Sequence, residues 1–122
     1  MTGLTKVIIA LIAIEHLYIL WMEMFAWETA GKKAFGKALK AEYFAPTKNL
    51  AANQGLYNGF LAAGLVWSLL ISDPLWWKNV ATFFLACVAI AGLYGAATAS
   101  KKIFVIQALP ALIGLVCLYF AG

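Results

Sequence analysis

Glu15, His16 and Glu23 bring two carboxylates and the chain's single histidine into one apolar run, "IALIAIEHLYILWMEMFAW". Such groups act as general acids and bases or as proton carriers, and an imidazole changes charge near neutral pH. On a helix, His16 and Glu23 share a face about two turns apart, whereas Glu15 lies about 100° around from His16 and faces a neighbouring groove or a second subunit. A second polar set follows in "LAANQGLYNGF", where the pairs Asn53/Tyr57 and Gln54/Asn58 recur at helical spacing and form a stripe. Tyr94 and Gln107 complete the candidates. The acids and histidine would move protons, and the amides and phenols would orient the polar part of a ligand.

Each candidate has a structural reading beside the chemical one. Placing an ionisable side chain inside an apolar span costs about 2.5–3.5 kcal/mol on translocon scales, which marks Glu15 and His16 as functional. A purely structural interhelical hydrogen bond is worth about 0.6 kcal/mol on average, and Asn53 and Gln54 read first as bridges of that kind. Glu23 is close enough to a span end to reach the headgroups. A metal centre is not expected: Glu15 and His16 point apart, and one metal would need ligands from other helices. No cofactor is implied. Cys87 and Cys117 lie in apolar stretches and read as small packing residues.

The elements that hold these groups follow from composition. The chain has 122 residues, 65% hydrophobic and 11% charged, with a mean hydropathy of +0.89. An ordinary soluble domain carries about a quarter charged residues, so this chain has too little polar surface for water. A span needs about 20 apolar residues. The runs predict spans over 7–27, 51–71, 80–99 and 103–121, without the alternation of transmembrane strands. The expected fold is all-α, an integral membrane four-helix bundle in one domain. The first run is too long for a typical signal-peptide core and carries charges at its centre, so it reads as a permanent helix. Asp73-Pro74 ends the second span, and Ser100-Lys101-Lys102 separates the last two.

All nine basic residues are lysines. They lie beside apolar spans, which fits topology signals and argues against nucleic acid. Lys32, Lys33, Lys37, Lys40, Lys48, Lys101 and Lys102 face one side; Lys6 and Lys78 face the other. The positive-inside rule puts the first and third loops in the cytoplasm of a cell whose inner membrane holds the protein, with both termini outside. Trp76 and Trp77 then anchor the outer interface and Trp27 the inner one. Over 32–44, Phe35, Ala38, Leu39 and Tyr43 recur on one face and Lys33, Lys37 and Lys40 on another. That pattern predicts a short interfacial amphipathic helix drawn to anionic lipid headgroups.

Counting depth at about 1.5 Å per residue puts Glu23, Asn53, Gln54, Tyr57, Asn58, Tyr94 and Gln107 in the cytoplasmic half, with Glu15 and His16 near the middle. A polar pocket closed toward the outside is expected there. Gly55/Gly59, Ala91/Gly95 and Gly92/Ala96 let backbones approach closely, and this surplus of small faces leaves room for a homodimer. Pro110 should kink the fourth helix and free a carbonyl.

Glu15-His16 with Glu23 and Trp27, and Ala52-Asn53-Gln54-Gly55 with Tyr57-Asn58-Gly59, resemble the pattern of domain-of-unknown-function family 1304. These are small integral membrane proteins of bacteria and fungi. The resemblance covers almost the whole chain without departure, and it implies architecture rather than an activity.

Three function classes fit the residues. Small-molecule binding with proton-linked transport comes first, with Glu15 and His16 exchanging protons; dimeric four-span exporters with one membrane glutamate are an analogy of architecture only. A membrane-embedded isomerase or hydratase acting on a lipophilic molecule comes second, using Glu15, His16 and Glu23 as acid and base. A scaffold subunit that docks its polar stripe on another membrane protein is third.

Overall fold

The computed structural model describes residues 2–120. It is all-α, with no strand among these residues. Helix α1 spans Gly3–Phe25. Thr2 Oγ1 accepts from the Thr5 amide at 3.2 Å, which satisfies one of the free donors of the first turn. After Ala26 the chain winds into a π-helical turn over Trp27–Gly31 and then the short α2, Lys32–Phe35. Helix α3 spans Lys48–Leu70 and α4 spans Pro74–Thr98. A π-helical turn over Phe104–Ala108 leads into α5, Leu109–Phe120.

Asp73 does more than end α3. Its Oδ1 accepts from the amides of Leu75 and Trp76 at 3.0 Å each, and Pro74 takes the first helical position, where its missing N–H goes unneeded. The third apolar helix therefore starts at residue 74, ahead of the expected 80. Ala121, the last residue of the expected fourth span, lies outside the described residues.

The first loop is not one helix over 32–44. The α-helix ends at Phe35, a last turn runs on to Leu39, whose amide donates to the Phe35 carbonyl at 2.9 Å, Lys40 is extended (φ −63°, ψ 145°), and Ala41–Tyr43 form a 3₁₀ turn. Gly36 weakens helix propensity inside this segment, and the extended Lys40 breaks the register of the lysine and aromatic faces.

By length and composition, α1 and α4 can each cross a membrane, with mean hydropathies of 1.8 and 2.0. Only 28% and 33% of their apolar windows are buried, far less than the core helix of a soluble protein would show. Phe104–Phe120 is a shorter apolar helix.

The chain divides into two compact units, one of residues 1–14 and 61–122 and the other of residues 15–60. The first has its own core, with Ile9, Ile12 and Ala13 of α1, Leu65 of α3, Ala81, Leu85, Val88 and Ala89 of α4, and Ala111 and Leu118 of α5. Glycines set its close contacts. A Cβ on Gly92 would strike the Ala108 backbone, one on Gly95 would lie 3.0 Å from Ile103 Cγ2, and one on Gly64 would strike the Phe84 ring. The Tyr119 hydroxyl hydrogen-bonds Thr82 Oγ1 at 2.8 Å, and Lys78 Nζ sits 4.4 Å above the Tyr119 ring. Trp77 is buried in this core while Trp76 is exposed, so only one of the two expected anchors faces outward. Cys87 and Cys117 are half-buried free thiols.

The second unit has two parts. The C-terminal half of α1 runs antiparallel to the start of α3. A Cβ on Gly55 would lie 2.7 Å from Met24 Cγ, 3.0 Å from Glu23 Cβ and 3.1 Å from the Leu20 carbonyl oxygen, and one on Gly59 would lie 2.6 Å from Leu20 Cδ1. The loop supplies the other part. Trp27 stacks at 5.0 Å on the fully buried Phe44 and at 5.9 Å on Phe35.

Candidate functional site

The close approach of α1 and α3 brings Glu23 and Asn58 together. Asn58 Nδ2 donates to Glu23 Oε1 at 2.7 Å, a short hydrogen bond across the two helices. The sequence explains why it forms. Gly55 and Gly59 turn their bare face to α1, and Asn58, three residues after Gly55 and about 60° from it around the helix, borders that face. Gly55 and Gly59 thus meet α1 within the chain, and Gly92 and Gly95 meet Ala108 and Ile103.

His16 is fully buried and is not without a partner. Glu15 differs. Its side chain is half-buried, and its Oε1 is enclosed with no hydrogen-bond partner among the described residues. Glu15 and His16, adjacent in sequence, therefore occupy distinct settings, as their angular separation on the helix requires.

The amide stripe divides. Asn58 faces α1, while Asn53, Gln54 and Tyr57 are exposed. Asn53 and Tyr57 lie about half a turn around α3 from Gly55, at about 100° per residue, and Tyr57 packs on Phe60 with ring centroids 6.0 Å apart. Three of the four stripe residues are thus exposed while Asn58 meets Glu23, because the glycines decide which face is packed. In the other unit Tyr94 is exposed on α4. Gln107 is half-buried in the π-helical turn and has a partner. Pro110 follows that turn. The wide turn lies just ahead of the proline, where its missing N–H and ring crowding act, and π-turns are themselves sites where helices bend.

Sequence reasoning missed the loop's polar clasp. Trp27 Nε1 donates to Thr47 Oγ1 at 3.0 Å, and Thr47 Oγ1 donates to the Tyr43 carbonyl at 2.7 Å. No periodic pattern signals a pairing twenty residues apart. The one available hint was a tryptophan at a helix end, read as a membrane anchor. Gly31 is part of the same fit, since a Cβ there would lie 2.7 Å from the Trp27 ring.

Comparisons with known proteins agree with the resemblance carried by these residues. The chain is 29% identical to the uncharacterized protein YpaA of Lactococcus lactis subsp. lactis (strain IL1403), over 98% of this chain and 100% of that protein. No solved structure matches it. The model of the family described as "Protein of unknown function (DUF1304)" matches residues 10–119, which include the Glu15-His16 pair, the Glu23–Asn58 bond and the Trp27–Thr47 clasp, and the chain belongs to that family.

Proposed function

We propose that the chain is an integral membrane protein that crosses the bilayer four times and carries an intramembrane carboxylate site for small-molecule binding and proton-linked transport. The observation that carries this reading is Glu15 Oε1, enclosed and without a donor among the described residues, one residue before the fully buried His16. A buried acceptor left unpaired costs about 1–3 kcal/mol. A proton, or a donor group on a bound molecule, removes that cost. Glu23 differs because Asn58 already holds it. On this reading Glu23 and Asn58 fix the helices around the site, and Glu15 is the group that exchanges.

The exposed faces support the membrane setting. Leu4, Val7, Leu11, Ile14, Leu17, Tyr18, Trp21 and Phe25 form a continuous outward stripe along α1, which water would penalise and hydrocarbon would not. The lysine distribution supports cytoplasmic first and third loops in the inner membrane, with both termini outside.

The test uses purified full-length protein in liposomes, with proton entry driven by a potassium diffusion potential and read by an enclosed pH dye. Wild type should conduct protons above protein-free liposomes. Glu15→Gln should lower that rate at least tenfold, and Glu28→Gln, exposed in the loop, should leave it unchanged. Undiminished flux in the Glu15→Gln protein would refute the transport reading.

A further inference from the structure

The loop between α1 and α3 offers a charged surface that the intramembrane site does not use. Lys32, Lys33, Lys37, Lys40 and Lys48 are all exposed, against two exposed acids, Glu28 and Glu42. The surface is shaped before any ligand arrives. The Trp27 ring, Phe35 and Phe44 form a small core beneath it, and the Trp27–Thr47 bond joins the loop's start to its end. Apolar side chains border the lysines: Phe25, Tyr43 and Leu50 are exposed at 74%, 48% and 66%. Asn49, Asn53 and Gln54, exposed on the first turns of α3, continue the polar rim to a depth of about 8 Å at 1.5 Å per residue. A surface that presents lysines, amides and exposed apolar side chains together suits a lipid headgroup zone, where charged and greasy groups meet.

We infer that this loop is a preformed platform for anionic phospholipid headgroups. The inference rests on the membrane reading above. The ligand chemistry is a phosphate ester attached to acyl chains, because the exposed Phe25, Tyr43 and Leu50 give a soluble phosphate nothing to gain. Recognition is by charge density. Lysine is a point charge without the guanidinium fork, and the chain has no arginine. Phosphatidylglycerol and phosphatidylserine should therefore bind alike, phosphatidylcholine should bind weakly, and salt should weaken binding to both anionic lipids.

Purified full-length protein in neutral detergent is titrated with each of the three lipids, and bound lipid is counted by native mass spectrometry at low and high ammonium acetate. Wild type should hold phosphatidylglycerol and phosphatidylserine at least tenfold over phosphatidylcholine. Each lysine removed should reduce that preference about fivefold, so the K32Q/K33Q/K37Q/K40Q protein should lose it. The matching lysine-to-arginine protein should keep it, which separates lost charge from a damaged fold. An unchanged preference in the glutamine protein, a preference for phosphatidylcholine, or displacement of bound lipid by inorganic phosphate at equal concentration would each overturn the inference. Release of the protein from cell membranes by alkaline carbonate would overturn the membrane reading itself; retention there without lipid preference would overturn this inference alone.

Discussion

In the Glu23–Asn58 bond one amide donor serves a part-buried carboxyl oxygen across two helices. Removing the donor leaves that acceptor without its partner, so Asn58→Ala should destabilise the protein by about 1–3 kcal/mol. Glu23→Gln keeps an acceptor for Asn58 Nδ2 and should cost less. Thermal melting of both variants in one detergent checks the order, and equal losses would show that the amide–carboxylate contact is not what holds this seam. The partnership was half legible in the sequence. Spacing put Glu23 on the His16 face and Asn58 on a polar stripe, but that stripe spans an arc of about 140° on α3 at about 100° per residue. Asn53, Gln54, Tyr57 and Asn58 follow one another so closely that no single face can bury them all. The glycines decided, with Gly55 and Gly59 bringing α1 in on one side and leaving Asn53 and Tyr57 on the other.

At the level of elements, the helices pack where side chains are missing. Gly55→Ala would force a methyl against Met24 Cγ at 2.7 Å and the Leu20 carbonyl at 3.1 Å. Backbone cannot step aside as a flexible side-chain tip can, and a loss of about 1–3 kcal/mol is expected. Gly3→Ala, with nothing within 4 Å of the added carbon, should be neutral or slightly stabilising. Melting curves of the two variants form one comparison, and equal effects would contradict the packing described for α1 and α3. The loop makes a second case. Trp27→Phe keeps most of the ring stacking but loses the donor to Thr47, a change of about 0.5–1.5 kcal/mol. Amide hydrogen exchange should speed up over 27–47 and stay unchanged in α4. Asp73-Pro74 marked a helix boundary in advance, whereas Gly36 lay inside a run that reads as one helix. The sequence was silent on the clasp, since a tryptophan and a threonine far apart in the chain carry no periodicity. At Pro110 it marked an irregularity, which takes the form of a wider turn just ahead of the proline.

For the molecule as a whole, the all-helical fold was readable from composition and the long uninterrupted apolar runs, because no other backbone form uses such runs without alternation. The burial of individual residues was not, since hydropathy does not separate Trp76, which is exposed, from Trp77, which is buried. The membrane reading predicts that cell membranes retain the protein through alkaline carbonate washing and release it only to detergent. At the centre of the proposal stands Glu15, a carboxyl group that exchanges its proton while enclosed in apolar surroundings. A hydrophobic carbodiimide applied to intact membranes attacks such carboxyl groups, and peptide mass spectrometry locates the adduct. Labelling should fall on Glu15 and spare Glu28 and Glu42, which are exposed in the loop. An unlabelled Glu15 beside labelled loop acids would contradict the proposal.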